Sequence, residues 1–255
     1  MKIKNYFRKL ILTLNGTNNL LFKISKFIVN SIENINNSDI SSNGELFVIK
    51  KFINKCHQLF DVGAGDGEYL NFCLKENRNL EIYAFEPSER IENIPKSQKI
   101  TAYNIGLGND SYEVNLYLNN SGGAPSIIES QYKTNNEIKQ IKICRFDTIV
   151  KEEKLINRIN FLKIDVEGYE FEVLKGMEEY IKLGLFNFIQ FEYSGYFFYN
   201  NITLNDLVNY VKDLNPNFDV YKIFQNKIVK LEKITVNHEN YQDSNFLFIL
   251  KGFEY

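Results

Sequence analysis

The stretch that decides the fold class reads Asp61-Val62-Gly63-Ala64-Gly65-Asp66-Gly67. Its three glycines follow a short apolar run, residues 58–62, that is typical of a buried strand, and they precede a segment, residues 66–76, with helical periodicity. Glycines in a strand-to-helix turn let the backbone bend tightly and approach a ligand that a Cβ atom would exclude. The stretch therefore predicts a ligand-binding turn in an α/β domain.

Strands and helices alternate along most of the chain from Gly44 onward. A second strand, residues 80–85, ends at Glu86-Pro87, because proline restricts the residue before it and cannot join a central ladder. The last three strand-like segments follow one another without helices, which indicates antiparallel pairing at one edge. We predict an α/β fold with a doubly wound, mostly parallel seven-stranded sheet and an antiparallel edge strand. The other predicted strands are residues 99–103, 113–118, 141–145, 159–164, 186–192, 219–224, 228–231 and 246–250, and the other predicted helices are residues 45–56, 170–182 and 204–214.

Composition and charge exclude several classes of protein. The 255 residues carry a formal net charge of -2, which argues against a nucleic-acid partner. The three cysteines lie far apart and form no C-x-x-C pair, so neither a disulfide framework nor a zinc site is indicated. These features favour a cytoplasmic protein.

Residues 1–43 differ from the rest and are predicted to form an N-terminal helical extension, with the main domain in residues 44–255. Basic residues there lack acidic partners as far as Asn30, and apolar residues recur at helical spacing, as at Phe27 and Ile28. The extension either packs on the domain or on a second subunit in a homo-oligomer, or it docks weakly on an anionic membrane surface. Its apolar run 10–14 is too short for a signal peptide or a transmembrane segment, so export and membrane insertion are not expected.

The glycine spacing favours one class of nucleoside cofactor. The dinucleotide fingerprint G-x-G-x-x-G, which receives a pyrophosphate, places its third glycine one residue later. S-adenosyl-L-methionine has no pyrophosphate, and its ammonium group can pair with Asp61 directly or through water. Glu86 ends the second strand about twenty residues further on, where an acidic side chain binds both ribose hydroxyls. The predicted cofactor-binding residues are Asp61, Gly63, Ala64, Gly65, Gly67 and Glu86.

Four stretches resemble the FkbM-type methyltransferases, a family of class I enzymes that mostly methylate oxygens of sugars and secondary metabolites. The resemblance covers roughly residues 44–250, and the stretch 162–170 is its most specific part. Phe146 departs from the family, which usually has Leu before the aspartate, and Asn is common in the family where this chain has Gly65 or Asp66. The four stretches are residues 60–67, 84–87, 145–149, and 162–170 running into 173–176.

This resemblance implies a Rossmann-like class I methyltransferase fold and an S-adenosyl-L-methionine-dependent O-methyltransferase. Its acceptor would be a hydroxyl of a sugar or of a glycan precursor, as in polysaccharide modification. The family segment around Asn104 and Gly106 would lie near the adenine, which adds these two residues to the predicted cofactor site. Ser126 falls in the family's serine-bearing loop.

Carboxylates at strand ends are the candidates for catalysis. A sugar hydroxyl is a poor nucleophile, so a base or a metal ion must help to remove its proton. Asp165 and Glu167 follow one predicted strand and Glu192 ends the next, and we expect one of the three, first Asp165, to be the general base. A divalent ion such as magnesium between Asp165 and Glu192 is the alternative. In a purely structural interpretation, Asp165 and Glu167 cap the following helix, where Glu170 is also structural.

The sequence also allows other interpretations of one segment and of the function. The aromatic segment 191–199 could hold the apolar face of a sugar ring or could simply be core, and neither His57 nor His238 is expected to be catalytic. A nicotinamide-dependent oxidoreductase shares the fold and the ribose acid, although its glycine spacing differs. A methyltransferase-like protein that binds the cofactor without catalysis is the non-enzymatic alternative.

Overall fold

The computed structural model of the protein describes residues 2–14, 19–118, 124–128, 137–151 and 154–253. Most elements lie where the sequence predicts them. The helices are α1 (Lys2–Leu14), α2 (Asn19–Glu33), α3 (Glu45–Phe52), α4 (Glu68–Glu76), α5 (Phe146–Ile149), α6 (Glu170–Lys175), α7 (Glu178–Lys182), α8 (Tyr196–Tyr199) and α9 (Leu204–Leu214). The strands are β1 (Gln58–Val62), β2 (Glu81–Phe85), β3 (Ile100–Tyr103), β4 (Gly106–Leu107), β5 (Tyr112–Leu118), β6 (Glu137–Cys144), β7 (Asn160–Ile164), β8 (Phe188–Tyr193), β9 (Phe218–Phe224), β10 (Lys227–Lys230) and β11 (Ser244–Leu250).

A central sheet confirms the predicted fold class. Its strand order is β10-β9-β11-β8-β7-β1-β2-β3, and the five strands from β8 to β3 pair in parallel. The strand β11 runs antiparallel to both of its neighbours, β8 and β9. The described sheet has eight strands rather than seven, because the short hairpin strand β10 extends it beyond β9.

Two of the predicted strands belong to a second, smaller sheet. The segments 113–118 and 141–145 correspond to β5 and β6, which pair with β4 in a three-stranded sheet. Only one side of this sheet is buried, by Leu116, Ile141 and Ile143. A sheet with one apolar side covers a neighbouring surface and does not extend a core that is buried on both sides. This small sheet lies over the carboxyl-terminal end of the central sheet.

The long helix predicted over residues 170–182 is divided into α6 and α7 at Gly176 and Met177. A Cβ atom at Gly176 would lie 2.0 Å from the carbonyl oxygen of Gly108, so only glycine allows this close approach. The helix predicted over residues 45–56 likewise ends at Phe52 and continues as a 3-10 turn, Ile53–Lys55. The helix α9 begins as predicted, with Thr203 and Asp206 forming a reciprocal capping box.

Each face of the central sheet buries its own hydrophobic cluster. On one face, Phe60 and Phe191 pack with residues of α6, α7 and α9. On the other face, Leu59 and Phe188 pack with residues of α3 and α4. The sheet is therefore covered on both sides, which is the doubly wound arrangement that the sequence predicts.

The N-terminal helices differ from this compact body. The side chains of residues 3–12 and 20–29 are all exposed. Contact with the body begins at the end of α2, where the carboxylate of Glu33 lies 3.7 Å from the Nζ of Lys222. The side-chain amide of Asn34 donates hydrogen bonds to the carbonyl oxygens of Asn43 and Ile223. No helix in the described ranges has the length and apolar character needed to cross a membrane.

Candidate active site

The glycine turn after β1 is held between two neighbouring strands. Gly63 has φ +86°, and a Cβ atom there would lie 1.8 Å from the carbonyl oxygen of Asp165. Its amide donates a 2.9 Å hydrogen bond to the carbonyl oxygen of Phe85, and the amide of Asp165 donates to Val62. Because of this packing, the turn needs glycine at position 63 and carries its backbone to the carboxyl ends of β2 and β7.

A cavity of about 310 Å³ opens at this edge of the sheet, a size within the range of small-molecule sites. Leu116 and Ser126 of the overlying region close one side of it. The predicted site residues that form part of its wall are Gly63, Ala64, Gly65, Glu86, Gly106, Asp165 and Glu167. The predicted residues that do not line it are Asp61, Gly67, Asn104 and Glu192.

Glu86 is buried and already oriented by the protein. Its Oε2 accepts a 2.9 Å hydrogen bond from the amide of Gly65, and its Oε1 accepts bonds from the amide and the hydroxyl of Ser88. Asn104 supports the same loop by donating to the carbonyl oxygens of Glu86 and Ser88. Asn104 therefore holds the backbone of Glu86 and Ser88. Glu86 itself lines the cavity, and a carboxylate oxygen such as Oε2 can accept a further hydrogen bond from a ligand.

Charge in the cavity wall is strongly unbalanced. Six acidic residues face two basic ones, so the described wall favours a cationic ligand over a pyrophosphate. Asp66 is engaged by Arg90 at 2.7 Å, but Glu68, in the first turn of α4, is exposed. The acidic residues are Glu45, Asp66, Glu68, Glu86, Asp165 and Glu167, and the basic ones are Arg90 and Lys163.

A row of buried polar side chains crosses the sheet beside the cavity, and two of its members, Lys163 and Glu45, form part of the wall. Asp61, Lys163 and Gln190 are register partners on β1, β7 and β8. The Nζ of Lys163 lies 2.9 Å from Asp165 and 3.9 Å from Glu45, and Gln190 donates a 2.8 Å hydrogen bond to Glu45. Burial alone would lower the pKa of Lys163, but the carboxylates of Asp165, Asp61 and Glu45 outweigh burial and raise it, so the ammonium stays charged.

Glu45, Lys163 and Gln190 are the residues that sequence reasoning missed. The signal was present in two of them, because Lys163 and Gln190 interrupt otherwise apolar strand segments, 161–164 and 188–191. A charged residue in a buried strand needs a partner of opposite charge. Glu45 gave no such signal, because an acidic residue in the first turn of a helix is ordinary.

Asp61 lies beneath the glycine turn and is fully buried. Neither of its carboxylate oxygens accepts a hydrogen bond within the described part of the chain. Burial raises the pKa of Asp61 to about 7, although the Lys163 ammonium opposes part of this rise. A buried carboxylate with unsatisfied oxygens suits a donor that reaches it from the ligand side, such as a water molecule or an ammonium group.

The three predicted catalytic carboxylates come together. Asp165, Glu167 and Glu192 each offer one oxygen, and these oxygens all lie within 4.8 Å of one another. Glu192 is largely buried, and burial together with the charges of Asp165 and Glu167 raises its pKa well above the ordinary value. Such a cluster holds a proton tightly, or it can bind a hard cation through its oxygens.

The loop that carries Asp165 and Glu167 is fixed by Glu170. The Oε1 of Glu170 accepts hydrogen bonds from the amides of Val166 and Gly168, at 3.0 and 3.3 Å. The helix α6 begins after Tyr169, whose side chain makes no capping hydrogen bond. The structural interpretation, in which Asp165 and Glu167 cap this helix, stays an alternative. Glu167 has a left-handed backbone, φ +55°, a strained conformation of the kind that clusters at functional sites.

The aromatic segment 191–199 divides between core and site. Phe191, Tyr193 and Phe197 are fully buried. Tyr196 packs against Gly168, where a Cβ atom would lie 2.3 Å from the Tyr196 Cβ, and the ring of Phe198 is 62% exposed. The segment thus has a buried part and an exposed part, and its contact with a sugar ring stays a prediction.

Both histidines lie away from the carboxylate cluster. His57 precedes β1, at the amino end of the sheet, and accepts a 2.8 Å hydrogen bond from the amide of Ile159. His238 lies in a loop and accepts a bond from the amide of Thr235.

Comparisons with known proteins identify relatives of this chain. A relative from Beauveria bassiana (strain ARSEF 2860), "Methyltransferase 1", is 24% identical over 162 residues, which cover 50% of this chain and 65% of that protein. The chain thus spans just under two thirds of its relative's length.

Two solved structures are similar to this chain at low identity. The methyltransferase FkbM from Methylobacillus flagellatus KT is 18% identical with a TM-score of 0.49, covering 76% of this chain and 44% of that one. The plantazolicin methyltransferase BpumL, crystallised with a substrate analogue and SAH, is 11% identical with a TM-score of 0.45, covering 98% of this chain and 100% of that one.

The decisive comparison is with a family model. The model described as "Methyltransferase FkbM domain" matches residues 61–239. This range begins at the aspartate of the glycine turn and contains Glu86, the carboxylate cluster and the polar row apart from Glu45. The chain therefore belongs to the FkbM methyltransferase family.

Proposed function

We propose that the protein is an S-adenosyl-L-methionine-dependent O-methyltransferase whose acceptor is a hydroxyl of a sugar or glycan precursor. The observation that carries the proposal is the acidic cavity beside the glycine turn, with six acidic and two basic residues in its wall. S-adenosyl-L-methionine has a sulfonium and an ammonium group against one carboxylate, so it enters as a net cation. A nicotinamide dinucleotide would bring a pyrophosphate dianion to the same wall, which is unfavourable.

Glu86 is the residue through which this cofactor is best tested. The pair of ribose hydroxyls would replace or share the hydrogen bonds that Glu86 accepts from Ser88. We expect calorimetric titration to detect binding of S-adenosyl-L-methionine and of S-adenosylhomocysteine, and to give an affinity for each. Glu86→Gln should weaken both by about ten- to a hundredfold, since charge-assisted hydrogen bonds contribute about 1.5 to 3 kcal/mol.

The matched control is Glu89→Gln, three residues after Glu86 in the sequence. It changes an exposed carboxylate that is paired with Lys139. It should leave both affinities unchanged. Binding of NAD in place of the sulfur compounds would contradict the proposal and favour an oxidoreductase. Tight cofactor binding with no methyl transfer to any of a broad set of hydroxyl acceptors would favour the non-catalytic alternative.

The carboxylate cluster supplies the proton acceptor for the reaction. Methyl transfer from a sulfonium needs the acceptor oxygen to lie in line behind the methyl carbon with water excluded. Asp165 and Glu167 line the cavity, and Glu192 lies within the same 4.8 Å cluster. We propose that the acceptor's proton passes first to Asp165 and is then shared with Glu192, because closely spaced carboxylates titrate as a unit.

A divalent ion could relieve the same repulsion between these carboxylates. Asp165, Glu167 and Glu192 are hard oxygen donors, which are the ligands that magnesium prefers. When bound, such an ion would supply Lewis-acid polarisation of the acceptor hydroxyl. The two alternatives differ in their response to EDTA.

The proton-transfer role predicts large effects on turnover. With an acceptor that the wild type methylates, Asp165→Asn should lower kcat by roughly 10²- to 10⁴-fold, while the affinity for S-adenosylhomocysteine changes little. Asp213→Asn, on the distant helix α9, is the control. Full turnover of Asp165→Asn would contradict the assignment, and loss of activity in EDTA that magnesium restores would favour the metal ion.

The exposed aromatic surface that follows β8 supports a sugar acceptor. Phe198 is exposed, and its ring packs edge-on against Tyr199 and Tyr241 at 5.7 Å. Exposed rings of this kind contact the apolar face of a sugar ring. A change of Phe198 to Ala should therefore raise KM for a glycan acceptor more than it lowers kcat.

A further inference from the structure

The helices α1 and α2 present an unusual apolar surface. Of the twenty large hydrophobic side chains that are exposed in the described part of the chain, fourteen lie between Ile3 and Ile32. An exposed apolar surface of this extent marks an interaction site. The side chains include Phe7, 55% exposed, and Phe27, 72% exposed.

Each of the two helices has a distinct apolar side. In α1 the hydrophobic positions 3, 6, 7, 10 and 11 recur at intervals of three and four residues, and in α2 positions 20, 24, 27 and 28 do the same. The basic residues Lys4, Arg8 and Lys9 of α1, and Lys23 and Lys26 of α2, lie at the margins or on the opposite side of these stripes. This is the pattern of a helix that lies in a membrane interface.

Charge separates these helices from the rest of the molecule. Six of the 30 Lys and Arg residues, and none of the 32 Asp and Glu residues, lie within residues 1–32. The rest of the chain, residues 33–255, therefore has 24 basic against 32 acidic residues, a net charge of -8. An anionic surface attracts the first segment and repels the second, which orients the molecule.

We propose that α1 and α2 dock the protein on an anionic lipid membrane. Their apolar sides enter the headgroup region and their basic side chains contact lipid phosphates. The two helices are about 20 and 22 Å long at 1.5 Å per residue, shorter than the hydrocarbon core of about 30 Å. They therefore lie along the surface and do not cross the membrane.

A second copy of the chain fits this surface less well. The other six exposed large hydrophobic residues in the described ranges, which include Leu183, Phe198 and Val236, are scattered over the body and offer no apolar groove. Pairing α1 and α2 with their counterparts would bring twelve basic residues together with only two acidic ones, the Glu33 of each copy. Charge complementarity therefore favours anionic lipid.

Vesicle binding tests the role of charge. We expect the full chain to float with vesicles of phosphatidylcholine and phosphatidylglycerol in equal parts and not with phosphatidylcholine alone. Raising the salt from about 0.05 to about 0.5 M should weaken this binding, because the screening length shortens. Lys23→Gln with Lys26→Gln should weaken it about thirtyfold, at about 1 kcal/mol per basic residue. The control, Lys227→Gln with Lys233→Gln, should not change it.

The absence of tryptophan from the chain allows a direct test of insertion. In Phe27→Trp the single indole should shift its fluorescence to shorter wavelength when anionic vesicles are added. In Val236→Trp, at a position that is 87% exposed on the body, the emission should stay unchanged. Both substitutions replace exposed side chains, so the fold should tolerate them.

Three results would overturn the proposal. They are an unshifted emission of Phe27→Trp with anionic vesicles, equal binding to neutral vesicles, and a soluble dimer that Phe7→Glu with Phe27→Glu dissociates while vesicle binding is absent. None of them bears on cofactor binding, which is measured without lipid.

Discussion

The two faces of the central sheet are built from the same strands but differ in chemistry. On one face, Phe60, Leu162 and Ile189 are register partners and form a fully apolar row. One residue further along the same strands, on the other face, lie Asp61, Lys163 and Gln190. An apolar row stabilises the fold by burial alone, whereas a buried charged row is only tolerated when its charges are paired. Lys163 of the second row lines the cavity, which indicates that this row is kept for the site.

Removing the central charge of the polar row should have the largest effect on stability. Lys163→Met leaves Glu45, Asp61 and Asp165 without the ammonium that offsets their repulsion. We expect the free energy of unfolding at pH 7 to fall by about 3 to 5 kcal/mol, as when one partner of a buried ion pair is removed. Urea denaturation measures it.

The matched change on the opposite face is Phe60→Leu. It removes apolar volume without changing charge, and it should cost about 1 to 2 kcal/mol while leaving cofactor affinity intact. The free energy of unfolding of the double variant Asp61→Asn, Lys163→Met should fall by less than the sum of the decreases in the two single variants, because the two side chains interact. A loss below about 1 kcal/mol for Lys163→Met would mean that the polar row is not coupled by charge.

The fold was largely predictable because its signals are local. The glycine turn, the proline after Glu86 and the capping residue Thr203 each specify a backbone conformation through their own chemistry. The division of the long helix at Gly176 was not predictable, because its cause is the carbonyl oxygen of Gly108, distant in sequence. The assignment of β5 and β6 to a separate small sheet was not predictable for a similar reason, because strand propensity does not specify which sheet a strand joins.

The site was predictable where parallel strands end together. That rule brought Asp165, Glu167 and Glu192 to one place, and the structure has them within 4.8 Å. This rule could not distinguish residues that line the cavity from residues that do not. The contact of Asp61 and Asn104 with a cofactor therefore stays a prediction. One partner of Lys163, Glu45, belongs to α3, which reaches the row from outside the family match.

The pH dependence of stability gives a smaller, more specific test of the polar row. The folded-state pKa of Asp61, about 7, lies above the ordinary value of 3.8, so the folded protein binds this proton more tightly than the unfolded chain. The stability contributed by Asp61 is therefore fully present below about pH 4 and is lost as the pH rises to about 7. The slope for one proton is at most about 1.4 kcal/mol per pH unit.

Asp61→Asn should remove this slope. The free energy of unfolding of the wild type, measured relative to that of Asp61→Asn, should fall between about pH 4 and pH 7 and level off above. Asp66→Asn is the control of opposite sign, because the hydrogen bond from Arg90 lowers the pKa of Asp66. The free energy of unfolding of the wild type, relative to that of Asp66→Asn, should therefore increase as the pH rises through the acid range. If the wild type and Asp61→Asn keep a constant difference, Asp61 is ionised in the folded state, and the ammonium of Lys163 fully compensates its burial.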